Sequence, residues 1–191
     1  MNITKEKLTE LHACKNSITW FEQNPGITTV EQGIKLLWET DHPEKFNWSN
    51  WILSRVLTHR NQVKYGVHAA ELVLPIWENE FPEDKRPSEA INSVKAWIND
   101  PSKENAEKCK QAASDATAWN AANAANATYD ATYAARAAAA LAAGWAAGWA
   151  AAWAAAWATG AASAAYRAIA ADPTKKKEII DYGLNLLQNQ E

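Results

Sequence analysis

The sequence predicts an all-α protein: a helical bundle with long Ala/Trp-rich helices in its C-terminal half. Three observations carry that prediction. Apolar residues recur at helical spacing throughout residues 1–100, as in Val30, Ile34, Leu37 and Trp38. Strand signals are nearly missing, with no long two-residue alternation and no Asn-Gly or Asp-Gly turn. Between Gln111 and Ala171 alanine exceeds half of all residues. Alanine is the best helix former, so this low-complexity stretch reads as helix rather than as a disordered tract.

The elements follow in order. Leu8, Leu11, Ile18 and Phe21 read as one first helix, with Trp20 beside it. Gly26-Ile27 breaks the chain, and Thr28 or Thr29 caps a helix carrying Val30, Ile34, Leu37 and Trp38, which Asp41-His42-Pro43 stops. A short tryptophan-rich helix starts at Asn47 or Ser49, with Trp48, Trp51, Ile52, Val56 and Leu57 on one face. Gln62 to Phe81 is the next helix, and Pro75 inside it should kink or shift it. "PEDKRP" (82–87) is a turn. Pro87 suits the first turn of a helix reaching Ile98 that buries Ala90, Ile91, Val94 and Trp97. After Asp172-Pro173, a cap and first-turn pair, a last helix uses Ile179, Ile180, Tyr182, Leu184, Leu186 and Leu187.

A composition shift after Asp100-Pro101-Ser102 divides the chain into a helical half, 1–100, and an Ala/Trp-rich half, 101–191, expected to pack together as one globular unit. One helix over 103–171 would run about 100 Å, against about 40 Å for a compact body of this size. The segment is therefore expected to fold back near 120–127 and near 158–163. Trp145, Trp149, Trp153 and Trp157 form a ladder with small residues beside them. A repeat of four drifts about 40° per step, so the ladder fans over about 120° of helix surface, the width of a core-facing stripe. The reading favoured is a structural aromatic core shared with Trp20, Trp51 and Trp97. A membrane-seated ladder and a partly exposed, partner-gripping one remain alternatives.

The chain has 191 residues and a formal net charge of −3, so no global basic field favours nucleic acid. Lys175, Lys176 and Lys177 sit beside Glu178 and Asp181 and read as a solvated helix end. Cys14 and Cys109 are expected to be free, buried thiols, and the polar N-terminal stretch is not a signal peptide, so the expected compartment is cytoplasmic. No phosphate loop, HExxH or GxSxG motif is present, and His12, His42, His59 and His68 lack metal-ligand spacing. No cofactor or metal is expected. Glu71 lies on an otherwise apolar helix. If buried it needs a partner, and Arg55 or Arg86 could supply one.

Several stretches, "HACKNSITWF" (12–21), "WSNWILSRVL" (48–57) and "AAELVLPIWENEFPEDKRPSEAINSVKAW" (69–97), together with the Ala-rich tail of spaced aromatics, resemble the Imm-5-like immunity proteins of bacteria and their phages. The likeness runs along nearly the whole chain and departs at Lys85, which interrupts a more usual Asp-rich run. The resemblance implies an all-helical, non-enzymatic binding protein that neutralises a toxin or other effector protein. Candidate binding residues are Arg55, Glu71, Asp84 and Arg86, of which Asp84 and Arg86 on an exposed turn are the contact candidates. On that placement Arg86→Glu leaves folding intact. The alternatives are a phage anti-defence protein, a membrane-associated or self-assembling structural protein, and a helical enzyme using Glu71 with a histidine. Self-association is left open.

Overall fold

The structure is a computed structural model that describes residues 1–120 and 172–190. Trp145, Trp149, Trp153 and Trp157, and the expected folds near 120–127 and 158–163, lie outside the described residues. Among the described residues the fold is all-α. The helices are α1 (Lys5–Glu10), α2 (Lys15–Glu22), α3 (Val30–Glu39), α4 (Lys45–Val56), α5 (His59–Glu80), α6 (Arg86–Asn99), α7 (Lys103–Asn120) and α8 (Pro173–Gln188). The remaining pairing in this part of the chain is an isolated antiparallel bridge between Asn2 and Thr29.

Neighbours in sequence pack together: α1 on α2, α3 on α4, α5 on α6, and α6 on α7. The long-range exception is α8, which lies against both α4 and α5. Helix α5 is the axis of the core, with Val63, Tyr65, Ala69, Ala70 and Val73 fully buried and Trp77 nearly so. Helix α6 answers with Ala90, Ile91, Val94 and Trp97, and α8 with Ile179, Ile180, Leu186 and Leu187, all buried. Of the last helix's expected core positions, Tyr182 and Leu184 are only half-buried.

Local hydrogen bonds set the helix ends. Thr29 and Gln32 form a reciprocal capping box at the start of α3. Asp172 accepts from the Thr174 and Lys175 N–H groups at 3.0 and 3.2 Å, with Pro173 in the first turn of α8. The expected single first helix is instead two. Helix α1 ends in a left-handed residue, His12 at φ 60°. There His12 N–H reaches the Thr9 carbonyl and Ala13 N–H reaches the Leu8 carbonyl. That is a Schellman end, which satisfies the last carbonyls and turns the chain away before Ile18. Asp41 at φ 51° closes α3 in the same way, with His42 N–H on the Leu37 carbonyl.

Helix α4 begins at Lys45, before the expected Asn47 or Ser49. Glu44 N–H is taken by His42 Nδ1 at 3.1 Å, while Ser49 is buried and accepts from Trp38 Nε1 at 3.2 Å, so neither expected cap is needed. Helix α5 starts three residues early, at His59, because the Gln62 N–H already closes on the Thr58 carbonyl. It continues unbroken through Pro75, whose ring is exposed.

A polar seam runs where α4, α5 and α8 meet. Asn50 accepts from the Tyr65 hydroxyl at 3.2 Å, Gln62 Nε2 donates to the Ser54 carbonyl at 2.7 Å, and Asn61 Nδ2 donates to the Leu186 carbonyl at 3.2 Å. Burial pushes the Tyr65 phenol well above its usual range, so it stays a neutral donor. Beyond the end of α8, the Gln190 amide accepts from Thr58 N–H at 3.0 Å and donates to the Val56 carbonyl at 3.2 Å. Backbone groups of the α4–α5 corner are thereby satisfied by one side chain. Cys109 is buried, as expected, but Cys14 is exposed: as the N-cap of α2 it sits at a helix start rather than on an apolar face.

Two glycines test this packing. A Cβ on Gly183 would lie 2.8 Å from Leu53 Cδ1 and from Tyr65 Cε2. Gly183→Ala is expected to destabilise the fold by about 1–3 kcal/mol through overpacking. A Cβ on Gly33, inside α3, would meet Ile27 at an ordinary 3.6 Å. Gly33→Ala should stabilise by about 0.5–1 kcal/mol through helix propensity. Urea unfolding followed by circular dichroism checks both signs.

Candidate protein-binding surface

Three surface features contain the residues singled out by the sequence. The first is the turn between α5 and α6. Asp84 Oδ1 accepts from the Arg86 N–H at 3.1 Å and from Arg86 Nε at 2.8 Å, and Arg86 Nη2 donates to Oδ2. The Asp84 carbonyl accepts from Trp77 Nε1 at 3.1 Å. The turn is therefore a clip that fastens the start of α6 to the core tryptophan of α5. Asp84 and Arg86 are half-buried and spend their charges on each other, rather than standing free on an exposed turn. Arg86→Glu would set two carboxylates together, so it perturbs the fold as well as the surface.

The second feature lies on the outer side of α5 and α8. Glu71 is not the buried carboxylate that would need Arg55 or Arg86. It is 37% exposed and pairs with Lys95 of α6. Arg55 faces its own helix, and Arg86 is held by Asp84, which is why neither reaches Glu71. One turn before Glu71, His68 stacks on Tyr182 of α8 with ring centroids 4.0 Å apart. An open hollow of about 700 Å³ adjoins them, lined by His68, Thr174, Lys177, Glu178, Asp181 and Tyr182. Lys177 pairs with Asp181 at 2.6 Å, which makes that end of the lysine run a solvated ion pair. Burial pulls the His68 pKa down, against the upward pull of Glu178 and Glu71. Burial, aided by the Glu71 charge, pushes Tyr182 up.

An acid–base pair would need a carboxylate within hydrogen-bond reach of His68. Glu178 Oε1 is 3.9 Å from Nε2, beyond hydrogen-bond length, and Glu71 is engaged by Lys95. Among the described residues no group of three or more His, Cys, Asp or Glu could hold a metal, and no helix is long and apolar enough to cross a membrane.

The third feature is aromatic. Trp20 of α2 meets Trp48 of α4 edge-to-face at 6.0 Å, and His42 lies 4.6 Å from Trp48. These rings and Trp51 are half-buried, whereas Trp97 is fully packed in the core. The Arg55 guanidinium lies 4.4 Å over the Trp51 ring. Sequence reasoning missed His42, Trp48, His68, Lys95 and Tyr182 as surface partners. It also missed the Arg55 guanidinium over Trp51, for which their i, i+4 spacing was an available signal. The His68–Tyr182 and Glu71–Lys95 contacts join different helices and leave no local trace.

A family model described as Immunity protein Imm5 matches residues 50–156. The chain belongs to the Imm5 immunity-protein family. The match takes in α4 from Asn50, α5, the Asp84–Arg86 turn, α6 and α7. It is narrower than the near-complete likeness expected, since α1 to α3 and α8 lie outside it. Neither a curated protein nor a solved structure matches the chain. Among the Imm5 candidate residues, Arg55, Glu71, Asp84 and Arg86 all fall within the matched span.

Two pH effects follow. Arg86 and the backbone hold the Asp84 carboxyl below its usual 3.8. Its stabilisation is present above that value and lost as the pH falls through the folded-state pKa. Asp84→Asn should cost about 1 kcal/mol at pH 7 after solvent screening, and the gap should close in urea titrations below about pH 4. Burial lowers the pKa of both His59 and His68 below 6.5, so the unfolded chain takes up protons first. Stability should therefore fall as the pH drops below about 6.5, and His59→Gln with His68→Gln should flatten that slope.

Proposed function

We propose that this protein is a non-enzymatic immunity protein that neutralises a toxin or other effector protein by direct binding. The observation that carries the reading is the Imm5 family match over residues 50–156. Geometry supports it. The candidate residues are tied into a rigid scaffold by the Asp84–Arg86 clip and the Glu71–Lys95 pair, which favours a preformed binding face. His68 and Glu71 do not form a hydrogen-bonded pair suited to proton transfer. In this reading the 1–100 and 101–191 halves act as one unit, since α7 packs on α6 and α8 on α4 and α5. The protein works in a reducing cytoplasm, in keeping with its two free thiols.

The test is to capture the tagged protein from its native host and identify a protein recovered at near-equal amount. That protein, expressed alone, should arrest growth, and co-expression of the immunity protein should restore it. Recovery of the tagged protein alone, or arrest that co-expression does not relieve, would count against toxin neutralisation.

A further inference from the structure

Arg55 is a half-buried cation that the described fold leaves without a carboxylate. Its Nη1 donates to the Trp51 carbonyl at 3.2 Å, and its guanidinium stacks on the Trp51 ring. Burial is what pulls its pKa down, and no acid among the described residues raises it. Cations of α1 and α4 differ: Lys45 pairs with Asp41, and Lys5 pairs with Glu22 at 2.5 Å. A guanidinium that has given up part of its hydration gains most from a planar carboxylate that it can grip with two N–H groups.

Trp51 also lines a partly open apolar hollow of about 60 Å³ walled by residues of the first four helices. Trp20, Phe21, Ile34, Trp48 and Ile52 are among its walls. An apolar cavity of about 150 Å³ admits benzene, so this smaller, partly open one takes only the methyl end of an aliphatic side chain. Its rim is stiffened by the Trp20–Trp48 edge contact. Among the described residues the exposed large hydrophobic side chain is Met1, so this surface offers a slot with a charge beside it rather than a broad greasy patch. Trp51 and Arg55 are one helical turn apart, which places the slot and the cation within reach of one short segment.

We propose that this slot docks an acidic–aliphatic segment of a partner protein. The methyl end of a Leu, Ile or Val side chain enters the hollow beside Trp51, and an Asp or Glu about one turn away pairs with Arg55. The proposal rests on the binding-protein reading for the partner's role, but the chemistry it demands comes from Arg55 and the hollow alone.

The experiment selects phage-displayed random dodecapeptides on the immobilised full chain. Enriched peptides should carry Leu, Ile or Val with Asp or Glu within one turn, and they should move the indole Nε1 NMR signals of Trp20, Trp48 and Trp51. Arg55→Gln should weaken them about ten-fold, with Arg55→Lys recovering part of the loss. Exchanging the peptide's Asp or Glu for its amide should give the same loss on the unmodified protein, which keeps the test valid if Arg55→Gln disturbs folding. Selection that yields no acidic–aliphatic peptides, equal affinity for the acid and amide forms, or unmoved indole signals would each overturn the site. Growth rescue that survives Arg55→Gln would remove this site and leave the immunity function standing. Peptide binding without any growth rescue would do the reverse.

Discussion

The docking of α8 into the corner between α4 and α5 is the constraint on which the rest depends. Gly183 allows it, because its missing Cβ lets the helix backbone approach Leu53 and Tyr65. Gln190 secures it, with one amide answering a donor of Thr58 and an acceptor of Val56. Ile179 and Ile180 are then buried, and the Leu186 carbonyl meets Asn61. With α8 in place, the polar side chains of α4 and α5 can be buried at little cost, since each described polar contact replaces one with water. The same docking brings Tyr182 onto His68 and so creates one wall of the open hollow.

Charge is arranged conservatively across the rest of the surface. Most visible ion pairs are exposed or join residues a helical turn apart, and such pairs add little stability. Two contacts do more than decorate. The Asp84–Arg86 clip fixes the entry into α6 and, through the Asp84 carbonyl, the indole of Trp77. The Glu71–Lys95 pair ties α5 to α6 at a site where a lone carboxylate would have looked catalytic. Both turn residues that suggested chemistry into parts of a scaffold.

Membership of the Imm5 family agrees with that picture. The matched helices supply the core axis of α5 and the helices packed on it, while α1 to α3 complete the walls around Trp51. The aromatic slot therefore combines Trp48, just before the matched residues, with Trp51 inside them.

Much of the fold was legible in the sequence, because helix identity and helix ends depend on residues within one or two turns. Thr28 or Thr29, Pro87 and Asp172-Pro173 announced three helix starts, and the structure chose Thr29, with Gln32 completing its cap. The stripe of Ala90, Ile91, Val94 and Trp97 announced a buried face. The sequence by itself thus determined the all-α class, most helices and the greater part of the core. Tertiary structure decided what meets across helices: Lys95 for Glu71, Tyr182 for His68, Trp38 for Ser49, and no carboxylate for Arg55 among the described residues. It also decided that His12 would end α1 early, since a left-handed histidine is adopted when the closing bonds to Leu8 and Thr9 hold it. The physical reason is range. Capping and periodicity act over a few residues, whereas ion pairs and ring contacts between helices exist only once packing has chosen which faces touch.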